Sequence, residues 1–287
     1  MLGTHLFGIY EKAFNSADPI RFRLAKARQL GYDYMEICMD ENEERLNRLY
    51  WSDAEIRQLK QDIDEEGLPI YSMCLSGHRK FPLGSENPEL VRKAREIMER
   101  AIIFSARIGV RTIQVAGYDV YYEESTESTR ERYLEGLHFA SKLAEKYQVM
   151  LGIETMDTPM MSSIAKFLEF EKKVNSPWFN VYPDLGNLSA WLGDDVEKDI
   201  TVGIKSVVAF HVKDTLPVKD DFPGQFRDLA YGEGCVDFVK CFSLLEDLNY
   251  PGPYLMEMWY VPDTDEMAVI SSAKEYVEKE YQKALSK

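Results

Sequence analysis

Short apolar runs alternate along the chain with longer segments in which apolar residues recur every three or four positions. The short runs are typical of buried strands, and the longer segments are typical of amphipathic helices. The eight predicted strands cover residues 5–10, 32–39, 70–76, 112–118, 149–155, 180–185, 207–213 and 254–259. Because a helical segment separates each strand from the next, the pattern predicts βα units built around a parallel sheet.

The helical segments carry recognisable start and stop signals. In segment 92–108 the apolar residues fall on one helical face and the charged residues lie elsewhere. Helix starts are predicted at Asp18 before Pro19, at Asn87 before Pro88, and at the capping boxes Ser52 with Glu55 and Ser128 with Glu131. Helix ends are predicted at Gly31, Gly67 and Gly109, because glycine adopts the left-handed conformation that ends a helix.

Eight alternating units in 287 residues, with no long polar linker, predict an α/β fold in which residues 1–287 form a single (β/α)8 TIM barrel domain. The main competitor is a Rossmann-like open sheet, which would carry a glycine-rich turn after the first strand. That strand instead runs into Gly8-Ile9-Tyr10-Glu11-Lys12, with no GxGxxG pattern. The barrel is therefore the favoured fold.

Charge and composition exclude several classes of function. A formal net charge of −15 opposes binding to nucleic acid, which needs clustered basic residues to replace counterions. The chain has no apolar run long enough for a membrane span and no signal-peptide pattern, so a cytoplasmic protein without membrane contact is expected. Its four cysteines show no CxxC spacing, which favours reduced structural thiols.

Polar residues close four consecutive predicted strands. Glu154, Asp184, His211 and Glu257 end strands five, six, seven and eight. Active sites of α/β barrels form at these carboxyl ends. A single acid there is typical of a helix cap, but three carboxylates gathered around an imidazole at the ends of these strands would repel one another without a cation. The pattern predicts one divalent metal, Zn²⁺ or Mn²⁺ first, with Co²⁺ and Mg²⁺ also compatible with these ligands.

Further polar residues near the same ends are candidate substrate contacts. They are His78, Arg79, Asn187, Lys213 and Arg227. Arg79 suits an anionic substrate group because its guanidinium can form paired hydrogen bonds to phosphate, although a basic loop also simply solvates the surface. The amides of Gly232-Glu233-Gly234 before a predicted helix either bind phosphate or form a tight turn without ligand.

The ordered Glu154, Asp184, His211 and Glu257 resemble the ligand set of the xylose isomerase-like barrel superfamily. Longer motifs resemble the L-ribulose-5-phosphate 3-epimerase family within it. These motifs lie at residues 8–12, 73–79, 81–85, 116–122 and 182–191. The resemblance extends over nearly the whole chain.

The resemblance implies a metal-dependent isomerase that interconverts L-xylulose 5-phosphate and L-ribulose 5-phosphate, with Glu154 and Glu257 acting both as metal ligands and as the acid/base pair. It also implies a sugar-phosphate substrate and a homodimer. Related ketose 3-epimerases carry a histidine three residues after the aspartate ligand, where this chain has Asn187. Their contacts to the substrate carbonyl region therefore do not transfer to this chain.

Three alternatives remain from the sequence. An aldose–ketose isomerase, such as a hexulose-6-phosphate isomerase, would use the same fold and metal but move hydrogen between C1 and C2. A non-catalytic sugar-phosphate-binding protein would keep the pocket without turnover. An endonuclease of the same superfamily is disfavoured by the acidic charge and by the presence of only four histidines.

Overall fold

The computed structural model describes residues 2–286, in which strands and helices alternate. The strands are β1 (Phe7–Tyr10), β2 (Tyr34–Cys38), β3 (Ile70–Leu75), β4 (Thr112–Ala116), β5 (Met150–Glu154), β6 (Phe179–Tyr182), β7 (Phe210–Val212) and β8 (Tyr254–Met256). The α-helices are α1 (Ile20–Gln29), α2 (Glu43–Asn47), α3 (Asp53–Glu66), α4 (Pro88–Ile108), α5 (Glu127–Tyr147), α6 (Ile164–Val174), α7 (Leu185–Leu192), α8 (Val196–Gly203), α9 (Phe238–Asp247) and α10 (Glu266–Leu285).

All strand pairs are parallel, in the order β6-β5-β4-β3-β2-β1-β8-β7. The two outer strands of this order meet through parallel bridges that join Val181 to Val207 and Asp184 to His211. These bridges close the sheet into a cylinder surrounded by helices. The predicted (β/α)8 barrel is confirmed, and the open Rossmann-like sheet is excluded.

Most of the predicted helix starts and ends are confirmed. The side chain of Ser52 accepts from the backbone N–H of Glu55, and Glu55 returns the bond, so the capping box starts α3. Asn87 caps α4, which begins at Pro88. Gly67 and Gly109 end α3 and α4 with φ of +64° and +89°, a region that residues with a Cβ rarely adopt.

Two predicted helix starts are wrong. Helix α5 is capped by Thr126 with Thr129, not by Ser128 with Glu131. The Thr129 hydroxyl also donates to Asp119 in the loop after β4, at 2.6 Å, so a tertiary contact fixes the earlier start. Helix α1 begins at Ile20 without a side-chain cap from Asp18. The Asp18 carboxylate instead accepts from Lys26 at 2.6 Å.

Alternate residues along the strands enter two different cores. Ile9 and Ile37 belong to a large apolar cluster that includes residues from the surrounding helices. Tyr10, Cys38 and Cys74 belong to a small separate cluster within the barrel. The barrel interior is therefore packed separately from the larger cluster that includes the helices. Toward the carboxyl ends of the strands, the interior also holds buried polar side chains. Within the described chain, none of the helices has the length and apolar character needed to cross a bilayer.

Candidate active site

The four polar residues at the ends of strands five to eight converge in the folded chain. Glu154 is the last residue of β5, and His211 lies within β7. Asp184 is the second residue after β6, and Glu257 directly follows β8. One potential ligand atom from each lies within 4.8 Å of the others, and all four side chains are buried. We call these residues the carboxylate–histidine group.

The imidazole of His211 lies between the three carboxylates of the group and a fourth carboxylate, Glu36. Its Nδ1 is 3.1 Å from Glu154 Oε1 and 3.8 Å from both Asp184 Oδ2 and Glu257 Oε2. Its Nε2 is 3.3 Å from Glu36 Oε1, on the opposite side of the ring. Burial disfavours a charged imidazole, but Glu36 and the other nearby carboxylates outweigh it and raise the pKa of His211 well above its usual value.

Lys213 neutralises part of the negative charge of the group. Its buried ammonium lies 2.8 Å from Glu257 Oε2 and 2.9 Å from Asp184 Oδ2. Burial alone would raise the pKa of both acids, but Lys213 and His211 outweigh this effect at Glu257 and lower its pKa to about 2. At Asp184 burial outweighs Lys213, and the pKa rises to about 7. Two buried cationic side chains thus supply the positive charge that the carboxylates require.

The group fits a divalent cation in its spacing and its donor chemistry. Ligands on opposite sides of a cation with bonds of about 2.1 Å lie about 4.2 Å apart, which is comparable with the 4.8 Å spread of the group. Three carboxylates and one imidazole suit Zn²⁺, Mn²⁺, Co²⁺ and Mg²⁺. Asn187 Oδ1, buried beside the group, has no hydrogen-bond partner among the described residues. The residues present therefore fit the implied metal.

A pocket opens above the group. Four of the predicted substrate contacts line this pocket, namely Arg79, Asn187, Lys213 and Arg227. Glu154 and Glu257 also line it, and Tyr10, Lys12, Asp157, Phe226 and Trp259 complete much of its wall. The pocket therefore brings the carboxylates and several cationic side chains to one volume.

Arg79 enters the pocket on an aromatic support. Its guanidinium carbon lies 5.5 Å from the ring centre of Tyr118 and 5.4 Å from that of Tyr121. Tyr118 in turn donates its hydroxyl proton to the Asp157 carboxylate. Stacking on two rings holds the cation while its N–H donors stay free for a partner. The two tyrosines therefore support this cation at the edge of the pocket.

His78 does not reach the pocket, although it precedes Arg79. Both residues lie in the short helical turn Ser76–Arg79 after β3. The His78 ring is buried against α4, with Nε2 3.1 Å from the carbonyl oxygen of Ala94. Burial lowers the pKa of His78 to about 4, so the ring is neutral at pH 7. The structure therefore separates this neighbouring pair into a packing residue and a pocket residue.

The glycine loop before α9 is already bound to a carboxylate of the chain itself. The backbone N–H groups of Gly232 and Gly234 each donate to Asp214 Oδ2 at 2.9 Å, and that of Val236 donates to Asp214 Oδ1 at 3.3 Å. Asp214 occupies the position that a phosphate would take at such amides. The tight-turn interpretation is the one that the structure supports, and Asp214 holds the loop to the end of β7.

Three polar residues of the site were missed by sequence reasoning. Glu36 contacts His211, Gln114 donates to the Glu154 carboxylate, and Lys12 lines the pocket while paired with Asp40. Glu36 and Gln114 are each fully buried within apolar strand runs. A lone polar residue at an inward position of such a run was the available signal, because burial of a polar group requires a partner.

Comparisons with known proteins identify the family of the chain. A family model described as xylose isomerase-like TIM barrel matches residues 24–280. The SgbU protein of Escherichia coli K12 is 48% identical over 281 residues, or 98% of both chains. The L-ribulose-5-phosphate 3-epimerase UlaE of the same strain is 45% identical over 277 residues, which cover 96% of this chain and 95% of UlaE.

The chain belongs to the L-ribulose-5-phosphate 3-epimerase family. A solved structure of an L-ribulose 3-epimerase superposes on this family member with a TM-score of 0.79 and covers 98% of it, and 95% of that structure is matched. Their sequences are 17% identical, so this likeness concerns the fold alone. The resemblance to the epimerase family that the sequence motifs predicted is confirmed.

Proposed function

We propose that this chain is a metal-dependent isomerase that interconverts L-ribulose 5-phosphate and L-xylulose 5-phosphate at C3. The observation that carries the proposal is the presence of two buried glutamates, Glu154 and Glu257, in one metal-compatible group that lines a pocket. Family membership supplies the substrate class. The carboxylates supply the two groups that an inversion at carbon requires.

Inversion at C3 needs one group to remove a proton and another to return one to the opposite face. Glu154 comes from β5 and Glu257 follows β8, so they approach the pocket from strands that are not neighbours. One glutamate is ionised and accepts the C3 proton, while the other is protonated and donates to the planar enediolate. The roles exchange in the reverse direction. Glu154, Asp184, His211 and Glu257 would hold a divalent cation, which would stabilise the negative charge that develops on the substrate oxygens.

The remaining pocket residues suit a phosphorylated sugar. Arg79 and Arg227 carry guanidinium groups into the pocket and are proposed to bind the phosphate. Arg227 lies over Trp259, with its guanidinium carbon 5.7 Å from the ring centre. Asn187 offers its unpartnered amide oxygen to a substrate hydroxyl. Lys213 is proposed to contact the sugar from its place beside Glu257.

Several wider expectations accompany this proposal. Residues 1–287 are proposed to act as one catalytic domain, since strands from both ends of the chain, β1 and β8, pair within the barrel. Zn²⁺ or Mn²⁺ is the proposed metal on the basis of the mixed oxygen and nitrogen donors. A homodimer is an expectation from the family.

Incubation of the purified protein with L-ribulose 5-phosphate in deuterated water tests the reaction. We expect NMR to show deuterium at C3 together with accumulation of L-xylulose 5-phosphate, because the returning proton comes from a group that exchanges with solvent. Exchange at C1 with formation of an aldose would contradict epimerisation and support the aldose–ketose isomerase. Binding without any exchange would support the non-catalytic alternative.

Replacement of Arg79 by glutamine is expected to raise the KM for the ketopentose phosphate by about ten- to a hundredfold, the equivalent of about 1.5–3 kcal/mol for a lost hydrogen bond to a charged group. The kcat should change little, because the phosphate is remote from C3. Initial-rate kinetics measure both constants. Arg95→Gln is a matched control, since Arg95 also lies 5.5 Å over an aromatic ring, that of Phe139, but outside this pocket. Equal KM values for the two variants would refute the phosphate role.

A further inference from the structure

Glu36 is a buried carboxylate beneath the carboxylate–histidine group. It lies in the middle of β2 and has no exposed surface. Its Oε1 lies 3.3 Å from Nε2 of His211. Its Oε2 accepts from the hydroxyl of Ser72 at 2.7 Å and from that of Tyr182 at 3.4 Å. Both carboxylate oxygens therefore have partners, and each partner comes from a different strand.

His211 is the ionisable partner of Glu36. Among the ion pairs of residues 2–286, Glu36 pairs with no lysine or arginine, and its imidazole partner is likewise completely buried. Removing an ionised carboxylate from water is costly unless a partner compensates it. Hydroxyl groups of Ser72 and Tyr182 supply part of this compensation. The remainder must come from the N–H of the imidazole.

The fold fixes this contact from both sides. Glu36 is the register partner of Ser72 in the β2–β3 pair, so the backbone itself sets the serine beside the carboxylate. The ring of Tyr182 meets that of His211 edge to face, with 4.6 Å between ring centres. The imidazole is therefore held by packing while Nδ1 faces the three carboxylates of the group and Nε2 faces Glu36. Rotation of the ring would break both sets of contacts.

The arrangement determines which nitrogen is available as a ligand. A histidine that binds a cation must be neutral, and a neutral imidazole has one N–H donor and one nitrogen with a free lone pair. When Nε2 carries the proton toward Glu36, the lone pair is on Nδ1. That nitrogen is the one 3.1 Å from Glu154 and 3.8 Å from Asp184 and Glu257. The carboxylate of Glu36 thus selects the tautomer that can bind a cation within the group.

We propose that Glu36 is a positioning residue that fixes the tautomer and orientation of His211 and strengthens its Nδ1 as a metal ligand. This inference rests on the proposed metal site and adds to it a residue on a strand that contributes none of the four ligands. A carboxylate that accepts the second N–H of a ligating histidine makes the ring more basic, and loss of such a partner typically weakens metal binding by about ten- to a hundredfold.

Cobalt titration of the metal-free protein tests this role without any measurement of turnover. Binding of Co²⁺ is followed by its visible absorption, which reports ligand geometry, and by competition with a chelator. We expect Glu36→Gln to weaken Co²⁺ binding by about tenfold and to alter the visible spectrum, because the amide keeps an acceptor but removes the charge. Glu36→Ala, which removes the acceptor as well, should weaken binding by about a hundredfold.

Two further variants separate this role from general stability. Asp199→Asn changes another buried carboxylate, which accepts from the backbone N–H groups of Ile164 and Ala165 at 2.7 and 2.9 Å, away from the pocket. It should lower the melting temperature of the metal-free protein and leave the Co²⁺ affinity unchanged. Ser72→Ala keeps the Glu36 charge but removes one of its anchors, so a smaller loss of affinity is expected even if the Glu36 variants fold poorly.

The outcomes distinguish this inference from the function on which it rests. Failure of the unmodified chain to bind Co²⁺ would contradict the proposed metal site and, with it, the role of Glu36. Tight binding by the unmodified chain, with the same affinity and spectrum in a folded Glu36→Gln variant, would contradict the role of Glu36 alone. If the Glu36 variants do not fold, an unchanged affinity in Ser72→Ala would overturn the proposal.

Discussion

Glu154→Gln and Glu257→Gln are each expected to lower kcat for C3 epimerisation by at least about a thousandfold, within the range associated with loss of a general acid or base. An amide can still offer an oxygen to a cation, but it cannot accept the substrate proton. Each variant should also remain folded, because both side chains lie at the ends of strands and an amide has nearly the shape of the carboxylate.

The two variants should differ in a way that assigns a face to each glutamate. With one carboxylate replaced, the other can still remove and return a proton on its own face. We therefore expect each variant to exchange the C3 proton of only one epimer in deuterated water, and the two variants to act on opposite epimers. NMR of L-ribulose 5-phosphate and L-xylulose 5-phosphate, each incubated separately, measures this pattern.

Asp199→Asn serves again as the control, since it changes a buried carboxylate that is not part of the pocket lining. It should retain the turnover of the unmodified chain, and circular dichroism should show that all three variants are folded. Net epimerisation at more than a tenth of the normal rate in either glutamate variant would refute its role. Exchange of the same epimer by both variants would contradict their assignment to opposite faces.

Removal of bound metal is the second change expected to have a large effect. Dialysis against a chelator should lower kcat by about a thousandfold or more, since a cation supplies several kcal/mol of stabilisation to the charge that develops during proton transfer. Addition of Zn²⁺ or Mn²⁺ should restore turnover. Elemental analysis should find one metal ion per chain, and full activity at less than a tenth of that content would contradict a metal requirement.

The fold should survive this treatment because the chain carries internal counter-charges. Lys213 lies 2.8 Å from Glu257 and 2.9 Å from Asp184, and His211 lies among the carboxylates. These two cationic side chains offset the repulsion that the carboxylates would otherwise exert. The metal-free protein should therefore unfold cooperatively, at a lower temperature than the metal-bound protein, because a ligand of the native state stabilises that state.

Local signals were sufficient to predict the barrel and the carboxylate–histidine group. Strand and helix periodicity is a property of short segments, and the order of the segments limits the fold to a few topologies. Glu154, Asp184, His211 and Glu257 each stand at the end of an apolar run. The carboxyl ends of barrel strands meet at one face of the barrel. The position of each residue at the end of its apolar run was therefore enough to predict that these side chains converge.

Neighbouring residues in loops could not be assigned in the same way. His78 and Arg79 are adjacent and both basic in type, yet one packs against Ala94 and the other enters the pocket. The direction of each side chain depends on the turn after β3 and on the position of α4. The glycine amides before α9 likewise required the structure, because the sequence did not indicate that Asp214 would bind them.

The sequence by itself determined the eight-unit barrel and the four polar side chains at its mouth, since periodicity and strand ends are encoded locally. Tertiary structure alone decided which residue faces the second nitrogen of His211. Glu36 lies 175 positions away along the chain, in the middle of an apolar strand. Only closure of the sheet brings the interior faces of β2 and β7 within hydrogen-bond distance, and no local pattern encodes that contact.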